Sequence, residues 1–200
     1  MIADYLRLNM SIEDEEFDRI LYPENIIKMS RRHFTEIEVA IKASQLLVTK
    51  PKQTILDIGC GVGKFCFVAS SYTQANYVGI DYRKHFIDIC HKITLKHHFK
   101  NVDFIHEDIL NVDFTKYDSF YFYNSFLEHT DATAILDDTI NVQQEKYKIY
   151  FDFLREQFEK LPIGTRIVTY HAEIGQIPDS YKIISSHFWG LLKCWEKTEQ

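Results

Sequence analysis

The sequence predicts an α/β fold: a seven-stranded, mostly parallel sheet with helices on both faces and a C-terminal antiparallel hairpin. Three observations predict it. Short apolar runs alternate with helix-periodic segments from about residue 53 to 170, and the first of those runs breaks abruptly into three alternating glycines. Residues 181–188 and 191–196 read as two strands around a tight turn at Gly190, which suits a hairpin better than another crossover.

The elements follow in order. Residues 1–32 read as short helical segments interrupted at Pro23, a helical extension to a single domain spanning 1–200. Ile37, Ala40, Ile41, Ser44, Leu47 and Val48 then recur at helical spacing, predicting a helix over 36–49. Thr35 and Glu38 have the spacing of a capping box at its start, and Pro51 ends it. A strand over 53–58 leads to a helix near 64–71. A second strand over 76–81 leads to a helix near 84–98, with Phe86, Ile89, Cys90 and Ile93 on one face, and a third strand covers 102–106. Such alternation implies parallel strands joined by right-handed crossovers. Ser119 to Tyr123 is apolar and aromatic on both faces, as a central parallel strand should be. Tyr147, Tyr150, Phe151, Leu154, Phe158 and Leu161 trace a long amphipathic helix closed by Pro162 and Gly164, and the fifth strand is Arg166 to Tyr170.

Composition bounds the function. Two hundred residues of ordinary apolar and charged content suit one domain with a sizeable core. A formal charge of −6 argues against nucleic acid, whose phosphates call for clustered Lys and Arg. No run approaches a membrane span, and the first residues lack the basic start and apolar centre of a secretory signal, so a cytoplasmic protein without membrane contact is expected. Cys60, Cys66, Cys90 and Cys194 have neither metal-ligand nor disulfide spacing, and no metal is expected; His85, His91, His97 and His98 read as exposed helix residues. The acidic run Glu13 to Glu16 reads as a solvated helix face.

The glycines carry the chemistry. In Thr54-Ile-Leu-Asp-Ile-Gly-Cys-Gly-Val-Gly-Lys-Phe65, a strand runs into a turn whose residues lack Cβ atoms, so a ligand can approach the backbone closely before a helix begins. The dinucleotide fingerprint would need Gly or Ala where Lys64 stands. The phosphate-binding P-loop would need Ser or Thr where Phe65 stands. With Asp57 ahead of Gly59, Gly61 and Gly63, the segment closely resembles the first motif of class I S-adenosylmethionine-dependent methyltransferases. The likeness continues through Tyr77-Val-Gly-Ile-Asp81 and Val102-Asp-Phe-Ile-His-Glu-Asp108, two further strands ending in acids, and covers roughly residues 33–130.

The resemblance implies a Rossmann-like fold and S-adenosyl-L-methionine as cofactor. In open α/β sheets, ligands bind beyond the carboxyl ends of the strands, where an acid ending the second strand accepts from ribose hydroxyls. Asp81 is expected in that role, Asp108 as acceptor from the adenine amino group, and Tyr82 and Ile109 beside the base. Asp57 and the loop of Gly59, Cys60, Gly61 and Gly63 would order the methionine end. On the residues alone, Asp81 also fits a cap of the helix beginning near Arg83, and Asp108 the start of a loop. Asn124-Ser-Phe is similar to the Asn-Asn-Phe segment of non-SET histone lysine methyltransferases, with Ser125 replacing the second asparagine. His33-Phe-Thr-Glu36 is similar to their methionine-carboxylate loop, which adds Thr35 to the cofactor contacts.

Methyl transfer from a sulfonium is an in-line displacement with a neutral leaving group, so positioning and exclusion of water matter more than an obligatory base. Asn124, at the end of the fourth strand, is the expected acceptor-positioning residue and also adjoins the cofactor; Glu128 and His129 are the candidate acid/base residues. The expected reaction is methyl transfer to a nitrogen or oxygen of a small-molecule or protein acceptor. The alternative is a cofactor-binding protein or partner subunit without transfer activity. The sequence names neither the acceptor nor the oligomeric state.

Overall fold

In the computed structural model the strands are β1 (Thr54–Ile58), β2 (Asn76–Asp81), β3 (Val102–His106), β4 (Ser119–Phe122), β5 (Arg166–Tyr170), β6 (Tyr181–His187) and β7 (Leu192–Lys197). They form one sheet in the order β3-β2-β1-β4-β5-β7-β6. The structure describes residues 6, 12–123, 125–126, 129, 143–172 and 175–199. β1 to β5 are parallel, β7 runs antiparallel to β5, and β6 pairs with β7. The expected mixed sheet and terminal hairpin are therefore present, and β4 stands at its centre.

Two cores form because alternate residues of a strand face opposite sides. Ile55, Tyr77, Tyr121 and Val168 face a layer made by α1 (Asp14–Leu21), α2 (Glu24–His33), α3 (Ile37–Leu47), α4 (Lys64–Tyr72) and α5 (Lys84–His97). Leu56, Ile80, Phe120 and Ile167 face α6 (Gln144–Glu159) through Tyr150, Leu154 and Phe158. Each large apolar side chain so enclosed contributes about 2 kcal/mol. β7 also fastens α6: Lys197 is buried, and its Nζ donates to the carbonyls of Glu159 and Leu161 at 2.5 and 2.8 Å. A cation there satisfies orphan carbonyls and complements the helix dipole.

Three expectations are corrected. The capping box does not form: Glu36 is the N-cap of α3 with no side-chain cap bond, the Thr35 hydroxyl is shared with Tyr121 Oη at 2.9 Å, and the Ile37 N–H donates to Asp14. Asp14, for its part, is not simply solvated, because it also pairs with the buried Lys64 at 2.5 Å. His97 is buried at the end of α5 rather than exposed. Among the described residues no helix is long and apolar enough to cross a membrane.

Candidate functional site

Strand register builds the site. Ile58, the last residue of β1, pairs with Ile80 and with Phe122, the last of β4, so Gly59, Asp81 at the end of β2 and Tyr123 come side by side. Asp81 pairs with His106, which brings Asp108 to the same edge. Between these ends lies a cavity of about 390 Å³, counted out to its open mouth, lined in part by Gly59, Ile80, Asp81, Tyr82, Asp108 and Ile109.

The glycine loop is held in a conformation that suits glycine. Gly59, Gly61 and Gly63 have φ of +70°, +54° and +79°, in the left-handed region that side chains disfavour. A Cβ at Gly63 would lie 2.6 Å from the Phe104 ring, so this glycine permits close packing of the loop on β3. A Cβ at Gly61 would meet nothing within 4 Å, so there the backbone faces open space. Cys60 N donates to Ile80 O at 2.9 Å, which stitches the loop to β2.

Asp81 joins loop and cavity. Its carboxylate is buried, accepts from the Gly61 N–H at 3.0 Å and from the Arg83 N–H at 2.8 Å, and still lines the cavity. Loop anchor and start of the helical entry are thus the same group. The buried Arg83 guanidinium stands 3.8 Å from it and lies over the Tyr82 and Phe86 rings. Asp108 caps a short 3-10 turn by accepting from Leu110 N at 3.0 Å, and it also accepts the Tyr150 hydroxyl at 2.9 Å.

Tyr150 is the contact that sequence reading misses. It comes from α6, some forty residues after Asp108, and its ring stacks on Phe126 (centroids 4.7 Å, 10° between planes) and on His129 (5.5 Å, 24°). In sequence it is one more apolar-face residue of an amphipathic helix, and no signal separates it from Leu154 or Phe158. The structure thus gathers Gly59, Asp81, Tyr82, Asp108, Ile109 and His129 around one cavity, with Phe126 and Tyr150 added. Thr35, Asp57, Cys60, Gly61 and Gly63 lie outside its lining. Asn124 and Glu128 lie outside the described residues.

Asp57 sits under the loop, where the Cys66 thiol donates to it at 3.4 Å. Burial above all pushes its carboxyl up to about 7; the thiol bond opposes the shift and the Asp81 charge adds to it. In the unfolded chain it titrates near pH ~4. Its contribution to stability is therefore complete below about pH 4 and is lost as pH rises through about 7. Asp57→Asn should gain on the wild type in melting temperature across that window, and a gap that stays constant from about pH 4 to about pH 8 would contradict the buried carboxyl.

A cofactor carrying a ribose and a flat base fits these residues: a carboxylate at the end of β2, a second at the end of β3, apolar Ile80 and Ile109 between, and open backbone at Gly61. Comparison with known proteins agrees. The family model described as methyltransferase domain matches residues 49–184, more than half of the chain. The chain belongs to the methyltransferase domain family. A search of curated proteins by sequence returns no match. Among solved structures the methyltransferase domain is similar to N-methyltransferase NodS from Bradyrhizobium japonicum WM9 in complex with S-adenosyl-L-homocysteine, with TM-score 0.59 and 14% identity over 91% of this chain and 96% of that one. It is also similar to an RNA methyltransferase from Salinibacter ruber in complex with the same compound, with TM-score 0.54 and 18% identity over 82% and 91%. TrmN from Thermus thermophilus gives TM-score 0.56 and 15% identity over 84% of this chain but 50% of that one, so the chain spans half the length of that protein. These likenesses are of fold: the domain has the class I architecture of S-adenosylmethionine-dependent methyltransferases.

Proposed function

We propose that the domain transfers the methyl group of S-adenosylmethionine to a nitrogen or oxygen of a small-molecule or protein acceptor. The observation that carries this reading is Asp81, whose carboxylate fixes the glycine loop through Gly61 and which lines the cavity. When bound, the cofactor supplies an electrophilic methyl on a sulfonium. Asp81 accepts from the ribose hydroxyls, Asp108 from the adenine amino group, and Tyr82 and Ile109 pack beside the base. Asp57, Thr35 and the loop of Gly59, Cys60, Gly61 and Gly63 order the methionine end, and Asn124, Glu128 and His129 are the residues to search around the acceptor. Two neighbours of the same architecture hold S-adenosylhomocysteine, which supports the choice of cofactor. Positioning of donor and acceptor and exclusion of water are the protein's main contributions to such a displacement.

Tyr150 acts on this site by positioning Asp108. Tyr150→Phe keeps the ring stack and removes the hydroxyl, so affinity for S-adenosylhomocysteine should fall about fivefold, equivalent to about 1 kcal/mol, in calorimetric titration. Unchanged affinity would detach Tyr150 from the nucleoside subsite. The activity itself is tested by following S-adenosylhomocysteine formation from S-adenosylmethionine across amine, hydroxyl and protein acceptors. Acceptor-dependent turnover is expected; cofactor binding without turnover on any acceptor would favour a binding protein.

A further inference from the structure

The cavity that collects three carboxylates also holds a buried cation. Among the described residues that line it, Asp81, Glu107 and Asp108 are acidic, and Arg83 is the side chain whose positive charge is permanent. Arg83 is 4% exposed and Asp81 6%. The guanidinium Nη1 stands 3.8 Å from Asp81 Oδ1, and its Cζ lies 5.4 Å from the centroids of both the Tyr82 and the Phe86 rings. Two aromatic rings thus hold the cation beside the carboxylate.

The helix gives no reason for that cation. Arg83 is the N-cap of α5 and makes no side-chain cap bond, and a helix dipole disfavours positive charge at this end. The cap contact comes instead from Asp81, which accepts the Arg83 N–H at 2.8 Å while it holds the Gly61 N–H at 3.0 Å. To accept from ribose hydroxyls at full strength the same carboxylate has to stay ionised. Its surroundings oppose this: burial, Glu107 and Asp108 in the cavity, and Asp57 on β1 all favour the protonated form. Asp57, buried one strand away with the Cys66 thiol as its donor, shows what burial does here, since its carboxyl is pushed up to about 7. Cys60 in the loop and Tyr150 on α6 are both raised by burial first and stay neutral. His106, which pairs with Asp81 in register, His129 in the cavity lining, and Lys146, whose Nζ lies 5.7 Å from the Tyr82 centroid, are further ionisable groups at this edge.

We propose that Arg83 is a positioning residue of the cofactor site, whose guanidinium, held against Tyr82 and Phe86, keeps the Asp81 carboxylate ionised so that it can brace the glycine loop and accept from the ribose together. This rests on the methyltransferase reading above and adds to it a residue outside the expected cofactor contacts. Arg83→Met removes the charge and leaves an apolar stem against the two rings. Asp81 then takes up a proton as pH falls, and its bonds to the ribose lose their charge assistance.

The test is S-adenosylhomocysteine calorimetry between about pH 8 and about pH 5.5, read as the ratio of the variant's dissociation constant to that of the wild type. Taking the ratio cancels what Asp57 and the two histidines contribute to both proteins. For Arg83→Met the ratio should grow about fivefold as pH falls, because the loss appears only where Asp81 is protonated. Arg83→Lys, which keeps the charge, should give a ratio that does not change with pH. In an Asp81→Asn background, where no proton can be taken up, removal of Arg83 should likewise give a constant ratio. A constant ratio for Arg83→Met overturns the role, and so does a ratio that still grows in the Asp81→Asn background, which would place the effect on another group. Arg83→Gln is the second neutral variant, and failure of both neutral variants to fold would make Arg83 a brace of the fold and overturn the role as well. A wild type that does not bind S-adenosylhomocysteine overturns the methyltransferase reading itself and the proposal with it, whereas the other contrary results leave that reading intact.

Discussion

Asp81→Ala is expected to weaken S-adenosylhomocysteine binding about a hundredfold, or about 2.7 kcal/mol. Two losses combine. The variant removes the charge-assisted acceptor for the ribose hydroxyls, and it also frees the Gly61 and Arg83 N–H groups, which the carboxylate holds at 3.0 and 2.8 Å. A loop released from β2 has to be ordered again on binding. The same freed donors lower stability by about 1–3 kcal/mol, so affinity must be measured at a temperature where the variant is fully folded. Weak binding in a folded Asp81→Ala protein supports the ribose role. Normal binding in a protein that merely melts earlier would reduce Asp81 to a structural brace.

Lys64→Met should lower stability by about 3–5 kcal/mol and leave the cavity's own residues in place. Lys64 is the first residue of α4, where the helix dipole disfavours a cation. It is 4% exposed, and it tolerates that place because Asp14 and Asp18 lie 2.5 and 2.8 Å from its Nζ and the Phe17 ring lies 5.6 Å away. Removing the ammonium leaves Asp18, 2% exposed, without its countercharge. For a chain of this length the loss is roughly 10 °C in melting temperature. Lys64→Met with Asp18→Asn should recover part of it, since a neutral pair carries a smaller desolvation penalty than a lone buried charge. A melting temperature within about 2 °C of wild type for Lys64→Met would show that the pair is solvated and that α1 is not anchored to the glycine loop.

What the sequence made legible was whatever depends on neighbours in the chain. The apolar runs at 53–58, 76–81 and 102–106 end where glycines or acids interrupt them, and the observed strands, like that at 166–170, match within a residue. The Asp81 and Asp108 edge was legible for the same reason, because Asp81 ends its strand and Asp108 stands two residues beyond the end of its own. Contacts made across the fold were not legible. Thr35 and Glu38 have capping-box spacing, but a tyrosine on β4 takes the Thr35 hydroxyl and an aspartate from α1 takes the N–H of Ile37. The acidic run at 13–16 looked solvated because its partner Lys64 lies fifty residues further on. Tyr150 is an ordinary member of a helix face until the fold brings it to Asp108.

The central claim is that the glycine loop and Asp81 select an S-adenosyl nucleoside over a dinucleotide. It is tested most directly by titrating the wild-type protein calorimetrically with S-adenosylhomocysteine and, separately, with NAD. Binding of S-adenosylhomocysteine in the micromolar range, about −8 kcal/mol, with no comparable heat from NAD is the expected result. Preferential binding of NAD, or no binding of S-adenosylhomocysteine by the folded protein, would contradict it.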